Sequence, residues 1–169
     1  MAVGKPIITE LTDSFTRPSD TNNYADNDLV ANSTTAGSVT PMTFEVPVGN
    51  GRGIKIVGAK LQKSGIAVTG ANFSLQLYAA SPTVANGDNG AFSTNVASYI
   101  GAIVFPIMTA YTDDAQTVVY SGAVSGGFNP LYTYLRSTDT IYALVKCEEA
   151  YTDEASAEVF TATLIIEQY

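Results

Sequence analysis

Histidine and tryptophan are absent from this chain, and cysteine occurs once, at position 147. Without histidine there is no Ser-His-Asp or Cys-His pair to activate a nucleophile, no imidazole general base and no standard catalytic zinc site. A single cysteine closes no intramolecular disulfide and forms neither a thiolate cluster nor a redox pair. Charge is also scarce: 14% of the 169 residues are Asp, Glu, Lys or Arg, against about 25% in an average globular domain. Eight bases face sixteen acids, giving a net charge of -8 and a pI near 4.2. That balance argues against the dense basic surface a phosphate backbone requires, so no nucleic-acid partner is expected. No apolar run approaches the ~20 residues of a membrane-spanning helix, and no membrane partner is expected. The opening Met-Ala-Val-Gly-Lys-Pro lacks the layout of a secretory leader. The expectation is a soluble protein made in a cytoplasm, with no cofactor.

The chain is 46% hydrophobic, too apolar for disorder and of a length that suits one domain, residues 1–169. Its polar surface falls to Thr, Ser, Asn and Tyr. Charge is unevenly placed. Residues 1–63 hold six bases and six acids, whereas the remainder holds Arg136 and Lys146 against ten acids. Arg52, Lys55, Lys60 and Lys63 form a basic segment without an acid, and Glu148 to Glu158 is acidic. These stretches read either as solvated faces or as surfaces that contact neighbouring copies or a larger assembly.

Helical periodicity is missing, and strand signals recur between Gly, Pro, Asn and Asp turns. In Asn72–Ala79, Phe73, Leu75, Leu77 and Ala79 alternate with polar residues, predicting a strand with one buried face. In the last segment Phe160, Ala162, Leu164 and Ile166 share a face. Ile141–Cys147 is apolar on both sides, as in a strand covered twice. Gly53–Lys63 changes parity between Ile54/Ile56 and Ala59/Leu61. Either an extra residue near Val57-Gly58 makes a β-bulge, leaving Lys55, Lys60 and Gln62 outward, or two shorter strands break at Gly58. Weaker strands are expected at Pro6–Leu11, Val39–Val46, Tyr99–Phe105, Gln116–Tyr120 and Leu131–Leu135. Eight or nine strands predict an all-β antiparallel sandwich, jelly-roll-like. Residues 1–38 would be an extended N-terminal segment packing on that sandwich or reaching out from it. The polar stretch Asp13–Ser38 is long for a structureless loop and reads as an ordered contact surface or a covering loop. Ser81–Asn95 and Ser121–Pro130 are further long loops.

Within that segment, Phe15-Thr16-Arg17-Pro18-Ser19-Asp20-Thr21 and Tyr24-Ala25-Asp26-Asn27-Asp28-Leu29-Val30 stand out. Pro18 fixes φ, the Asp and Asn side chains favour Asx turns, and Arg17 is placed to pair with Asp20 or Asp28. A Ca²⁺ site from Asp20, Asp26 and Asp28 is the alternative, although the spacing lacks the EF-hand loop and its terminal Glu. The pattern F-T-R-P-x-D-T-x-x-Y-A-x-x-D-L-V resembles the N-terminal signature of a family of small tailed-bacteriophage structural proteins. The resemblance continues through Leu75-Gln76-Leu77-Tyr78, Asp88-Asn89-Gly90-Ala91-Phe92 and Tyr151-Thr152 to Phe160–Leu164. One departure is Asn27, where the family usually has Gly; Asn tolerates the left-handed region such a turn needs.

The resemblance implies a capsid decoration, or cement, protein with a β-sandwich fold and no enzymatic activity. It would sit on the outer capsid surface of the virion, bridging and stabilising neighbouring major capsid proteins. Self-association as a trimer, with a dimer next, fits the symmetry of such lattices. Arg17, Asp20, Tyr24, Asp28, Arg52, Lys55 and Lys60 are the candidate interface residues, with no catalytic, cofactor or metal site. The main alternative is a receptor- or glycan-binding module of a tail or head fibre, using tyrosines such as Tyr78, Tyr111, Tyr132, Tyr134 and Tyr151. A third is a hydrolase whose two carboxylates are assembled across strands. Cys147, in a two-sided apolar strand, reads as a small buried hydrophobe.

Overall fold

The computed structural model describes residues 7–47, 53–122, 130–134, 140–152 and 156–168. Among them the alternating segments pair into eleven strands: β1 (Ile7–Thr16), β2 (Leu29–Val30), β3 (Met42–Glu45), β4 (Gly53–Lys63), β5 (Phe73–Tyr78), β6 (Tyr99–Val104), β7 (Thr109–Ala110), β8 (Ala115–Tyr120), β9 (Leu131–Tyr134), β10 (Thr140–Cys147) and β11 (Val159–Gln168). One sheet runs β1-β11-β4-β8-β7, with β9 also on β4. The other runs β2-β10-β5-β6, with β3 also on β10. Every pairing is antiparallel.

Two of the principal strands are interrupted. β2 and β3 lie end to end along β10, opposite Val145–Lys146 and Thr140–Ala143. β8 and β9 lie end to end along β4, opposite Gly58–Lys63 and Gly53–Ile56. With each pair counted as one strand and β7 as an edge addition, the sheets have spatial orders 1-8-3-6 and 2-7-4-5. This is the double-Greek-key order of a jelly roll, so the all-β sandwich expected from the sequence is the fold found.

β4 carries the bulge. Ile165 pairs with Gly58 and Ile166 with Ile56, leaving Val57 as the extra residue. The shift puts Ile54, Ile56, Ala59 and Leu61 on the buried side and Lys55, Lys60 and Gln62 on the half-buried outer side. Opposite them Phe160, Ala162, Leu164 and Ile166 are fully buried; each large side chain removed from water stabilises by about 1.5–3 kcal/mol.

β5 departs from its expected single buried face, because all six of its residues are buried. Phe73, Leu75 and Leu77 enter the main core, while Tyr78 joins a second cluster with Leu29, Ala31 and Leu144. Val39, Val84 and Phe92 pack against that cluster, so residues 29–39 and the Ser81–Asn95 loop cover the outer face of the second sheet. β10 is buried on both faces at Ala143, Leu144 and Val145, as its two-sided apolar pattern predicts. The expected first strand ends too early, since β1 continues to Thr16, and the expected Val39–Val46 strand contracts to Met42–Glu45. Residues 123–129 and Leu135 lie outside the described residues. No helix among the described residues is long and apolar enough to cross a membrane.

Candidate functional site

β1 delivers Arg17 to one end of the sandwich. Its N–H donates to Glu158 O at 2.9 Å, and its side chain is fully buried. Nε donates to the Tyr24 hydroxyl, and the guanidinium lies 4.6 Å from the centre of the Tyr24 ring. Nη2 approaches Asp20 Oδ1 at 3.3 Å and Asp88 Oδ2 at 3.6 Å. The Tyr24 hydroxyl donates to Asp88, 2.8 Å from Oδ1 and 3.0 Å from Oδ2, and Ala31 N–H donates to Oδ1 at 2.7 Å. A buried carboxylate needs such partners, because an unpaired one is strongly penalised.

The charged groups and the backbone hold the same two segments together. Asn89 N–H donates to Leu29 O at 2.9 Å, Leu29 N–H to Gly90 O at 2.8 Å, and Phe92 N–H to Asn27 O at 2.7 Å. Residues 27–33 are thus held between β10 and the 87–92 loop. Gly87 is required there: a Cβ would lie 2.1 Å from the Thr34 carbonyl. Asn27 has φ 66°, the left-handed conformation that its place in the turn predicts. Asp28 Oδ2 reaches back to accept the Ala25 N–H at 2.7 Å, and Asp20 Oδ1 accepts the Asn22 N–H at 3.2 Å as an Asx turn.

A second buried pair adjoins the first. Lys63 Nζ donates to Glu158 Oε1 and to Gly65 O, both at 2.9 Å, and the Tyr151 hydroxyl donates to Glu158 Oε2 at 2.9 Å. Tyr24 and Tyr151 exchange backbone hydrogen bonds of 2.9 and 3.1 Å, with their rings 6.0 Å apart. Tyr151 meets Phe73, Phe73 meets Phe160, and Phe160 stacks on Phe15 at 5.6 Å. The motifs at Phe15–Val30, Asp88–Phe92 and Tyr151–Phe160, far apart in sequence, form one interlocked unit.

Burial sets the protonation behaviour of this unit. Asp88 is pushed up from the usual carboxylate range by desolvation, opposed by the Ala31 N–H, the Tyr24 hydroxyl and Arg17. Tyr24 is pushed far above an ordinary phenol by burial and by the Asp88 charge. Asp88 is engaged by Arg17 and Tyr24, and Glu158 by Lys63 and Tyr151. Cys147 is buried, and desolvation raises its thiol to about 12.

Of the candidate interface residues, Arg17, Tyr24 and Asp28 are buried within the chain itself, where they set the shape of the segment. Asp20 is partly exposed at 26%. Lys55 and Lys60 flank the bulge on the outer face of the first sheet, and Lys55 pairs with Glu167 at 3.3 Å. Arg52 lies outside the described residues. Among the described residues no three metal-ligating side chains gather. Tyr78 and Tyr151 are core residues, whereas among the described residues Tyr99, Tyr111 and Tyr120 are the exposed large aromatics; the side chains of Tyr132 and Tyr134 lie outside the described set. Sequence reasoning missed Lys63, Asp88 and Glu158 as members of the buried unit. Parity was the available signal for two of them: Lys63 is two residues beyond inward Leu61, and Glu158 two before inward Phe160.

No protein-family model matches the chain, and no curated protein matches it. Among solved structures, a chain of the Israeli acute paralysis virus particle aligns with a TM-score of 0.28 and 8% identity, over 97% of this chain and 74% of its own. A protein from Bacteroides thetaiotaomicron described as sugar-binding aligns at 0.27 with 12% identity, over 93% and 88%. A chain of infectious bursal disease virus, Gt strain, aligns at 0.23 with 12% identity, and this chain spans 42% of it. Likenesses this loose carry no argument about function, and the sandwich rests on the strand pairing itself.

Proposed function

We propose that this chain is a capsid decoration protein of a tailed bacteriophage, bound to the outer surface of the shell and bridging neighbouring major capsid proteins. The observation that carries the reading is the convergence of the phage-like motifs. Phe15, Arg17, Tyr24, Asp88, Tyr151 and Phe160 lie in three separate stretches of sequence and meet in one interlocked unit. Three of the motifs that carry the resemblance therefore fall in a single structural feature, and the fourth, Leu75–Tyr78, lies in β5. That feature shapes covering loops on a jelly roll, and its buried acids are taken up by ion pairs and tyrosines.

The work is mechanical: each copy needs only modest affinity, multiplied over many equivalent sites. The test is thermal. Particles stripped of the protein should release DNA at a lower temperature than intact ones, and adding back purified protein should restore the difference. Unchanged release temperature on stripping and refilling contradicts the reading. A protein that instead binds cells or glycans when isolated is a fibre module, for which exposed Tyr99, Tyr111 and Tyr120 would supply contacts.

A further inference from the structure

The two sheets differ in what covers them. Residues 29–39 and the Ser81–Asn95 loop lie over the second sheet, whereas the outer face of the first leaves Glu10, Thr12, Val118 and Tyr120 exposed. Four strands hold that face in register. Glu10, Ile165, Gly58 and Tyr120 form one row across β1, β11, β4 and β8, and Thr12, Thr163, Lys60 and Val118 form the next. The bulge flattens the first row. A Cβ on Gly58 would lie 2.9 Å from the Tyr120 ring and 3.0 Å from Ile165 Cδ1, so both side chains lie down over the glycine. In the second row the Thr12 and Thr163 hydroxyls are joined at 2.9 Å. The result is a level surface of Thr, Ile, Val and Tyr, where the outward residues of a sandwich are ordinarily polar.

Charge on this face is self-complementary. Lys55 pairs with Glu167 in the row on one side, and Gln62 donates to Asp114 in the row on the other. Between them stand Glu10 and Lys60, and among the described residues neither makes an ion pair. They are two strands and one row apart, roughly 12 Å at about 4.8 Å between strands and about 3.4 Å per residue, too far to meet each other. A two-fold axis lying in the face midway between them, over Leu164 of β11, carries each to the other's position. Lys60 of one copy then meets Glu10 of a second, and the reverse contact forms with it, the reciprocity of an isologous pair. The same rotation sets exposed Val118 over exposed Ile8 of the second copy, apolar on apolar. We infer that two copies of this chain pack through this face, first sheet against first sheet, about such an axis. Four strands by four rows give a footprint of about 500 Å² per copy, so the pair covers about 1,000 Å², the lower limit of a specific interface. The dimer is therefore weak, with a dissociation constant of about 10–500 µM. A second copy is a partner additional to the shell.

The test is analytical ultracentrifugation of the full chain from about 10 µM to about 1 mM, a range that brackets such an affinity. Wild-type protein should shift from monomer to dimer across it. Glu10→Lys alone and Lys60→Glu alone each set like charges opposite one another at both contacts. Each should weaken the dimer at least tenfold. Together, in Glu10→Lys/Lys60→Glu, they restore opposite charges, and the affinity should return to within about threefold of wild type. Thr163→Arg, beside the axis, should leave the chain monomeric throughout. A wild type that stays monomeric, a trimer in place of a dimer, single variants that associate like wild type, or a double variant no better than the singles overturns the inference. Recovery in the double variant cannot come from a damaged fold, so it separates lost pairing from lost stability. Refilling of stripped particles by the wild type tests the shell reading separately, whichever way sedimentation falls.

Discussion

The Tyr24 hydroxyl reaches both oxygens of Asp88, at 2.8 and 3.0 Å, across 64 positions of sequence. Tyr24→Phe removes that donor and leaves a buried carboxylate with one fewer partner. The expected loss is about 2 kcal/mol, which for a chain of this size lowers Tm by roughly 4–8 °C. Differential scanning calorimetry of the variant checks it, and a Tm within 1 °C of wild type, about half a kcal/mol or less, contradicts it.

Asp88 also gives the stability a pH dependence. Its folded pKa is raised by desolvation, so the unfolded carboxyl loses its proton first. The contribution is fully present below the unfolded value, near ~4. It is lost as pH rises from there through the raised folded value. Asp88→Asn should flatten that part of the curve of unfolding free energy against pH, and an unaltered slope counts against the assignment.

Cys147 should behave as a sealed thiol. Burial raises it to about 12, and Sγ lies 2.7 Å from Glu149 O. At pH 8 a thiol reagent should leave the native protein untouched and label one equivalent in denaturant. Rapid native labelling would show that the β10 end opens.

Lys63 and Glu158 are fully buried and 2.9 Å apart. Lys63→Met or Glu158→Gln strands a buried group, and a loss of about 3–5 kcal/mol is expected from either. The Lys63→Met/Glu158→Leu double variant should recover much of this, because an apolar pair removes both desolvation penalties. Denaturant titrations measure all three, and additive losses would contradict the coupling.

Much of the sandwich was legible because period two survives wherever a strand is long. β4 and β11 follow from it, β10 follows from its two-sided apolar run, and the parity change at Val57-Gly58 marked either a break or the bulge that formed there. Two-residue strands such as Leu29–Val30 and Thr109–Ala110 have no period to read. They exist because β10 and β8 offer edges. β5 misled because its second burial comes from Leu29, Ala31 and Phe92, which local alternation does not register. The candidate site was partly legible. The Arg17–Asp20 pairing and the left-handed turn at Asn27 follow from residue chemistry. Asp88 does not, because its role depends on a loop arriving from 64 residues away. Lys63 was read with a charged outer face, and Arg17 as a loop-pairing residue and interface candidate; each is buried where a carboxylate and a tyrosine meet it.

Lys55 and Lys60 stand on the outer face of the first sheet. If that face meets an acidic neighbour in the shell, Lys55→Glu/Lys60→Glu should reduce occupancy of stripped particles, and the deficit should shrink as salt rises. Occupancy equal to wild type at low salt returns both lysines to ordinary solvated residues.

The central claim is that many copies of this chain decorate a shell. Counting copies per purified particle, with their positions located by cryo-electron microscopy, tests it most directly. The account predicts a high count at symmetry-equivalent sites on the outer capsid surface. A count of tens or fewer, confined to the tail, would contradict it.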